Sequence, residues 1–167
     1  SLKDLPTAAP PGLVNRTILP RASPADWLLV RTEFYQPRED GLLPLRAGAR
    51  VGASSLRRAA LLGRFAPQAN SVPLRGNVPT RLRRLAAGET VDAIVLAAAG
   101  LTRLKLDLSP FAVVELPPEW WIPAPGQGAL AVQCGAGDTE IDGHVKLLVD
   151  PASSEATRWE RDFLRVI

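Results

Sequence analysis

The chain has 167 residues, of which 46% are hydrophobic and 22% charged, values close to globular averages and outside the range of disordered or acidic-tail sequences. Its formal net charge is only +3, yet three of the 20 basic residues are Lys and the other 17 are Arg, so planar forks suited to carboxylates and phosphates dominate the cations. The longest apolar stretch, residues 93–101, is half of the roughly 18 residues that a membrane-spanning helix needs, and the single cysteine, Cys134, can form no internal disulfide, which suits a reducing compartment; no membrane association and a cytoplasmic location are expected.

The chain opens on Ser1-Leu2-Lys3-Asp4-Leu5-Pro6 with neither an initiating Met nor a charged-then-apolar leader. Pro6 is expected to hold this segment extended. Residues 27–31 are a short apolar run after a Pro-bounded turn and read as a strand. A second strand at 50–54 runs straight into an amphipathic helix pattern over 54–65. A third, at 71–74, leads through Arg75-Gly76-Asn77 into a helix over 78–87 that Gly88 closes. Residues 91–97 read as a buried strand, followed by a short helix near 100–104 and a strand at 111–116. After a Pro- and Trp-rich link over 117–128, a last strand covers 129–134 and a helix 153–167. Its pattern has no stop signal at the end, so a fragment of a longer protein is expected. Strands alternating with helices at this spacing predict an α/β sheet with helices on both faces.

Two strand-to-helix junctions carry candidate chemistry. In Ser54-Ser55-Leu56-Arg57-Arg58 a Ser can cap the helix, which puts two Arg in its first turn. Cations are disfavoured there because the helix N-terminus already carries about half a positive charge. Either a bound anion compensates them or both are solvated surface groups. At the second junction Asn77 is a cap candidate, Pro79 suits the first turn and Arg81 follows. Loops at the carboxyl ends of neighbouring strands share one crevice in an α/β sheet, so Arg57, Arg58, Arg75 and Arg81 can converge on a ligand with several negative charges. Arg83 and Arg84 are expected on the solvated face of the helix.

Other chemistries find little support. Only nine aromatic residues are present, with no strand that interleaves them with basic residues, and nothing pairs Cys with His for a zinc module, so nucleic acid is not the expected polyanion. His144 lies in a polar stretch and reads as a surface residue, Cys134 as a small buried hydrophobe, and no metal site is expected. Pro125-Gly126-Gln127-Gly128 lacks the spacing of a phosphate loop and reads as a turn with glycines at positive φ. Trp120 and Trp121 are expected to pack between domains. Asp4 beside Lys3 would by spacing alone be a surface residue.

Taken together, Ser1-Leu2-Lys3-Asp4-Leu5-Pro6-Thr7, Ser54-Ser55-Leu56-Arg57-Arg58, Arg75-Gly76-Asn77-Val78-Pro79-Thr80-Arg81-Leu82, Asp92-Ala93-Ile94-Val95-Leu96-Ala97-Ala98-Ala99-Gly100-Leu101 and Pro125-Gly126-Gln127-Gly128-Ala129-Leu130 resemble the porphobilinogen deaminase (hydroxymethylbilane synthase) family, in the family's order. Glu160-Arg161-Asp162-Phe163-Leu164 is similar to the helix that precedes the family's cofactor cysteine. The resemblance implies a transferase of tetrapyrrole (haem) biosynthesis that deaminates porphobilinogen and condenses four units head to tail on a dipyrromethane cofactor held by a thioether. It implies that Asp4 is the catalytic carboxylate, that Lys3, Asp4, Ser55, Arg57, Arg58 and Arg75 bind the cofactor, and that Arg81 and Arg103 bind substrate. Acetate and propionate groups on every ring would be the polycarboxylate that the Arg cluster calls for.

The resemblance further implies a periplasmic-binding-protein-like lobe with a mixed, mostly parallel sheet. Residues 1–16 are expected to be a hinge segment from a first domain, carrying Lys3 and Asp4; 17–118 the second-domain lobe; 119–148 a hinge and return strand to the first domain; and 149–167 the start of a third domain. Most of the first domain and the cofactor cysteine are expected to lie outside the chain, Cys134 not being its counterpart, so the isolated fragment is expected to be inactive and the intact protein a monomer. Ala53 stands where the family commonly has Thr. The alternative is a non-catalytic polycarboxylate-binding lobe of the same fold.

Overall fold

The computed structural model describes residues 1–166, with side chains at all of them except Arg16 and Thr17. Along the chain the regular elements are β1 (Leu13–Ile18), β2 (Asp26–Arg31), β3 (Arg50–Gly52), α1 (Leu56–Phe65), β4 (Asn70–Val72), α2 (Val78–Ala87), β5 (Ala93–Ala97), α3 (Ala98–Leu104), β6 (Phe111–Leu116), β7 (Ala131–Gly135), α4 (Thr139–Val145) and α5 (Pro151–Val166). Short 3₁₀ turns cover Leu2–Asp4, Thr32–Phe34 and Lys146–Leu148. Two compact units result: Ala25–Ile122, and Ser1–Pro24 together with Pro123–Ile167.

The unit Ala25–Ile122 is built on a five-stranded sheet of order β4-β3-β5-β2-β6. β3 is parallel to β4 and β5, whereas β2 is antiparallel to both β5 and β6. Four strands therefore point one way and β2 runs against them, which is the mixed, mostly parallel sheet expected. Leu28, Leu29 and Val30 of β2 are all fully buried, as a strand covered on both faces requires. Leu28, Val30, Val51 and Val95 face Leu62 and Ala66 at the end of α1; Leu29, Ile94 and Leu96 face Leu82 and Leu85 of α2 and Leu101 of α3. Helices thus cover both faces.

The helix boundaries follow local chemistry. Ser55 caps α1 by accepting from the Arg58 N–H, Asn77 caps α2 by accepting from the Thr80 N–H at 3.0 Å, and Gly88 ends α2 at φ 66°. Trp121, expected between domains, instead fills the core of this unit: it is fully buried and its ring stands 6.2 Å from Phe65 and from Trp120. The apolar wall over the end of α1 needs a large side chain, and the chain following β6 supplies it.

In the other unit β1 and β7 form an antiparallel pair, and α4 and α5 follow. Asp150 starts α5 by accepting from the Ser153 N–H at 2.8 Å with Pro151 as first helical residue, two residues earlier than the periodicity indicates; Ile167, the last residue of the expected helix, lies outside the described residues. Cys134 is half-buried within β7, not fully enclosed as expected. Its edge position in a two-stranded ribbon leaves it less covered than a central strand would. His144 is exposed on α4. No described helix is long and apolar enough to cross a membrane.

Candidate functional site

β3, β4 and β5 are parallel, so the helices that follow them, α1, α2 and α3, all begin at the same edge of the sheet. Antiparallel β2 begins at that edge too, with Asp26 opposite Ala97. The hydroxyl of Ser54 ties the first two loops together, accepting from the Leu74 N–H at 3.1 Å and donating to the Leu74 carbonyl. Between these loops lies a cavity of about 280 Å³ lined by Ala53, Ser54, Ser55, Pro73 and Arg75. Ser55 and Arg75, both expected at the site, therefore share one wall.

Arg57 and Arg58 turn toward Asp26, a residue that sequence reasoning missed. The Arg58 guanidinium donates through Nε and Nη2 to Oδ2 and Oδ1 of Asp26 at 3.1 and 2.6 Å, and through Nη1 to the Val95 carbonyl at 3.2 Å. Arg57 donates through Nη2 to Oδ2 of Asp26 at 2.8 Å and through Nη1 to the Ile122 carbonyl at 2.6 Å. The Trp121 indole N–H donates to the same Oδ2 at 3.0 Å. Part of the anion that two Arg at a helix N-terminus demand is thus internal.

Electrostatics bear this out. Burial alone pushes the Asp26 carboxyl up, but the hydrogen bonds and charge of Arg58, then of Arg57, outweigh it and hold the group at about 2, below the ordinary 3.8. Two guanidinium groups against one carboxylate leave the trio positive. Arg81, half-buried and donating through Nε to the Gly76 carbonyl at 2.8 Å, is lowered from its ordinary value first by burial and second by the charge of Arg58, so it belongs to the same field. All three guanidinium nitrogens of Arg58 have protein partners, whereas the buried Nε of Arg57 has no hydrogen-bond partner. That orphan donor points to Arg57 as the member of the pair with capacity left for an external acceptor.

The remaining expected residues are placed as follows. Arg75 is exposed, with its carbonyl accepting from Arg84 Nη1 at 3.0 Å. Arg103 is exposed in the last turn of α3, about 7–8 Å along the helix axis from its first residue, and is not gathered at the helix N-termini. Lys3 and Asp4 belong to the other unit. Leu2–Asp4 forms a 3₁₀ turn instead of the extended segment expected, and Leu5, directly before Pro6, is extended (φ −86°, ψ 141°). Lys3 Nζ donates to Oε1 of fully buried Gln127 at 3.4 Å, and Gln127 Nε2 donates to the Pro24 carbonyl at 2.6 Å. Asp4 is exposed, and its carboxylate accepts nothing from the described residues. Gly126 and Gly128 have φ of 74° and 84°, the turn geometry expected of them, and a Cβ on Gly128 would stand 2.4 Å from the Ala22 carbonyl oxygen.

Among the described residues no cluster of His, Cys, Asp or Glu is arranged to hold a metal ion. What the geometry defines is an α/β protein whose parallel strand ends carry a positively charged crevice. Residues 1–143 match the family described as porphobilinogen deaminase, dipyromethane cofactor binding domain, and the chain belongs to that family. It is 40% identical over 165 residues to the porphobilinogen deaminase of Limosilactobacillus reuteri, covering 99% of this chain and 52% of the relative. It is 46% identical over 164 residues to that of Roseiflexus castenholzii, covering 98% and 51%. The chain thus spans about half the length of the curated relatives it matches. Among solved structures, an arginine-specific periplasmic binding protein of Salmonella typhimurium aligns with a TM-score of 0.47 and 11% identity over 88% of this chain and 62% of that one, a likeness too weak to add to the family assignment. Cys134, paired with Val14 in the β1–β7 ribbon, is not a cofactor attachment site.

Proposed function

We propose that this chain is the part of a porphobilinogen deaminase that binds the carboxylates of dipyrromethane and porphobilinogen and carries the catalytic carboxylate. The observation that carries the reading is the family match over residues 1–143, which includes both the Lys3-Asp4 segment and the Arg-bearing helix starts. The donor set suits dipyrromethane: Arg57 keeps an orphan N–H, Arg75 and Ser55 line a cavity at the α1 N-terminus, and the Asp26–Arg57–Arg58 trio is net positive. When bound, that cofactor supplies the pyrrole carbon to which new units are joined.

In this reading Ser55, Arg57, Arg58 and Arg75 hold cofactor acetate and propionate groups, and Arg81 and Arg103 those of the incoming substrate. Lys3 adds a further cation for the cofactor carboxylates. Asp4 accepts the pyrrole N–H of porphobilinogen through a carboxylate oxygen. As the protonated amino group of the aminomethyl arm leaves as ammonia with the electrons of the C–N bond, the ring nitrogen's electron pair moves through the ring toward the remaining methylene carbon, and the fixed negative charge of Asp4 stabilises the cation that develops. Asp4 has no partner to lose among the described residues, so its removal leaves the fold in place.

The test uses the full-length protein and its Asp4→Ala variant with porphobilinogen. The expected result is a loss of turnover of about a hundredfold or more with an unchanged circular dichroism spectrum. Undiminished turnover in the variant excludes the role given to Asp4. The intact mass of the same preparation reports the cofactor: an excess equal to two linked pyrrole units is expected, and its absence from a folded, active protein argues against the reading.

A further inference from the structure

α5 carries two adjacent charged residues that reach two different segments. Glu160 accepts the Gly126 N–H at 2.7 Å and is paired with Arg21, whose Nη1 and Nη2 donate to Oε1 and Oε2 at 2.6 and 3.0 Å. Arg161 reaches the start of the chain. Its Nη1 donates to the carbonyls of Leu2 and Leu5 at 3.3 Å each, and its Nη2 to those of Thr7 at 3.1 Å and Pro6. One guanidinium therefore gathers four main-chain carbonyls from a six-residue stretch, one inside the 3₁₀ turn and three from the residues directly after it. The two segments that Glu160 and Arg161 hold are also joined to each other, by the Leu2 N–H on the Ala129 carbonyl at 3.0 Å and by Lys3 on Gln127. Leu2 is buried as a peg against this turn.

Asp4 sits inside that frame. Its carboxylate takes no hydrogen bond or ion pair from any described residue, so nothing directs the side chain except the backbone that carries it. The Asp4 and Leu5 N–H groups close onto the Ser1 and Leu2 carbonyls at 3.1 Å each, and those bonds alone are the weak, solvent-competed bonds of a short turn. A fork donating to carbonyls on both sides converts the turn into a fixed mount.

We propose that Arg161 is a positioning residue that aims the Asp4 carboxylate by clamping the carbonyls of Leu2, Leu5, Pro6 and Thr7. The proposal rests on the reading of Asp4 given above. A lysine cannot substitute fully, because a point charge with three rotatable donors does not span four carbonyls in one plane as a guanidinium does. Arg165 contributes less, since it donates only to the Thr7 carbonyl, at 3.0 Å, and to Asp162.

The experiment compares Arg161→Ala, Arg161→Lys, Arg165→Ala and Asp4→Asn in the full-length protein, by hydrogen exchange of the Asp4 and Leu5 amides and by kcat and KM for porphobilinogen. In Arg161→Ala those amides are expected to exchange about tenfold faster or more, with kcat lower by about 10- to 100-fold and KM within about twofold of the parent. Arg161→Lys is expected to fall between the two, and it decides the matter should the Ala variant fail to fold. Arg165→Ala is expected to change both readouts less than Arg161→Ala. Unchanged amide exchange overturns the clamp. Faster exchange with full kcat, in a protein that Asp4→Asn inactivates, overturns the positioning role while leaving the role of Asp4 standing. Full turnover in Asp4→Asn removes the role of Asp4 itself, and the positioning role falls with it.

Discussion

Replacing Asp26 by Asn keeps the shape of a fully buried side chain and removes its charge. At least four hydrogen bonds end on the two carboxylate oxygens, two from Arg58, one from Arg57 and one from Trp121. An amide offers one acceptor oxygen and turns an N–H₂ toward guanidinium donors, and Arg58, only 7% exposed, is left without its counter-ion. Removing one partner of a buried ion pair costs about 3–5 kcal/mol. A second route gives a similar size: a carboxyl held at about 2 instead of 3.8 favours the folded state by roughly 2–3 kcal/mol when ionised. The folded value is depressed, so this contribution is complete above the unfolded value of 3.8 and is lost as pH falls through about 2. Urea unfolding of parent and variant between pH 7 and pH 2.5 measures it. The expected result is a deficit of about 3 kcal/mol or more at pH 7 that begins to shrink below pH 4, and Asp26→Asn with Arg58→Met is expected to recover part of it, since an apolar pair leaves no buried charge unpaired. A deficit under about 1 kcal/mol, the range of an exposed ion pair, or one independent of pH, refutes the account of this trio.

Three further outcomes are expected. Gly128→Ala forces a Cβ against the Ala22 carbonyl at φ 84° and lowers stability by more than the roughly 1–2 kcal/mol of the backbone strain alone; a thermal midpoint equal to the parent's would contradict the geometry of this turn. Asn77→Ala removes the cap of α2 and costs about 1 kcal/mol by urea unfolding, with Asn77→Asp nearly neutral; equal losses in the two variants would mean that the cap contributes nothing. Arg81→Ala weakens porphobilinogen binding to the full-length protein by about tenfold or more, as the loss of a charge-assisted hydrogen bond does, read by calorimetry; an unaltered Kd takes Arg81 out of the substrate site.

Elements whose signals are local were legible from residue order. The caps at Ser55 and Asn77, the Gly88 stop, the buried run of β5 and the positive φ of Gly126 and Gly128 depend on neighbours within a few residues. β1 and α4 were not legible. Leu13–Ile18 places polar Asn, Arg and Thr in the middle of its run and gains strand conformation only by pairing with β7, 118 residues away at Asn15 and Gln133. α4 has seven residues and contains Gly143, too short and too Gly-weakened to stand by nucleation energetics without packing.

The same division runs through the candidate site. Residue order alone placed two Arg in the first turn of α1, where either a negative partner or solvent must offset them, and showed that the motifs around Lys3, Arg57, Arg75 and Gly126 are those of one enzyme family. Only the tertiary structure decided what the partner inside the protein is. Asp26 lies 31 and 32 residues from Arg57 and Arg58 and meets them because β2 enters the sheet against the direction of its neighbours, so that its first residue emerges where the other strands end. It decided likewise that Arg161 grips carbonyls 154 to 159 residues away. Helix caps and strand periods are short-range steric and hydrogen-bonding preferences that residue order encodes directly, whereas the partner of a buried charge is chosen by strand order and packing, which no local pattern records.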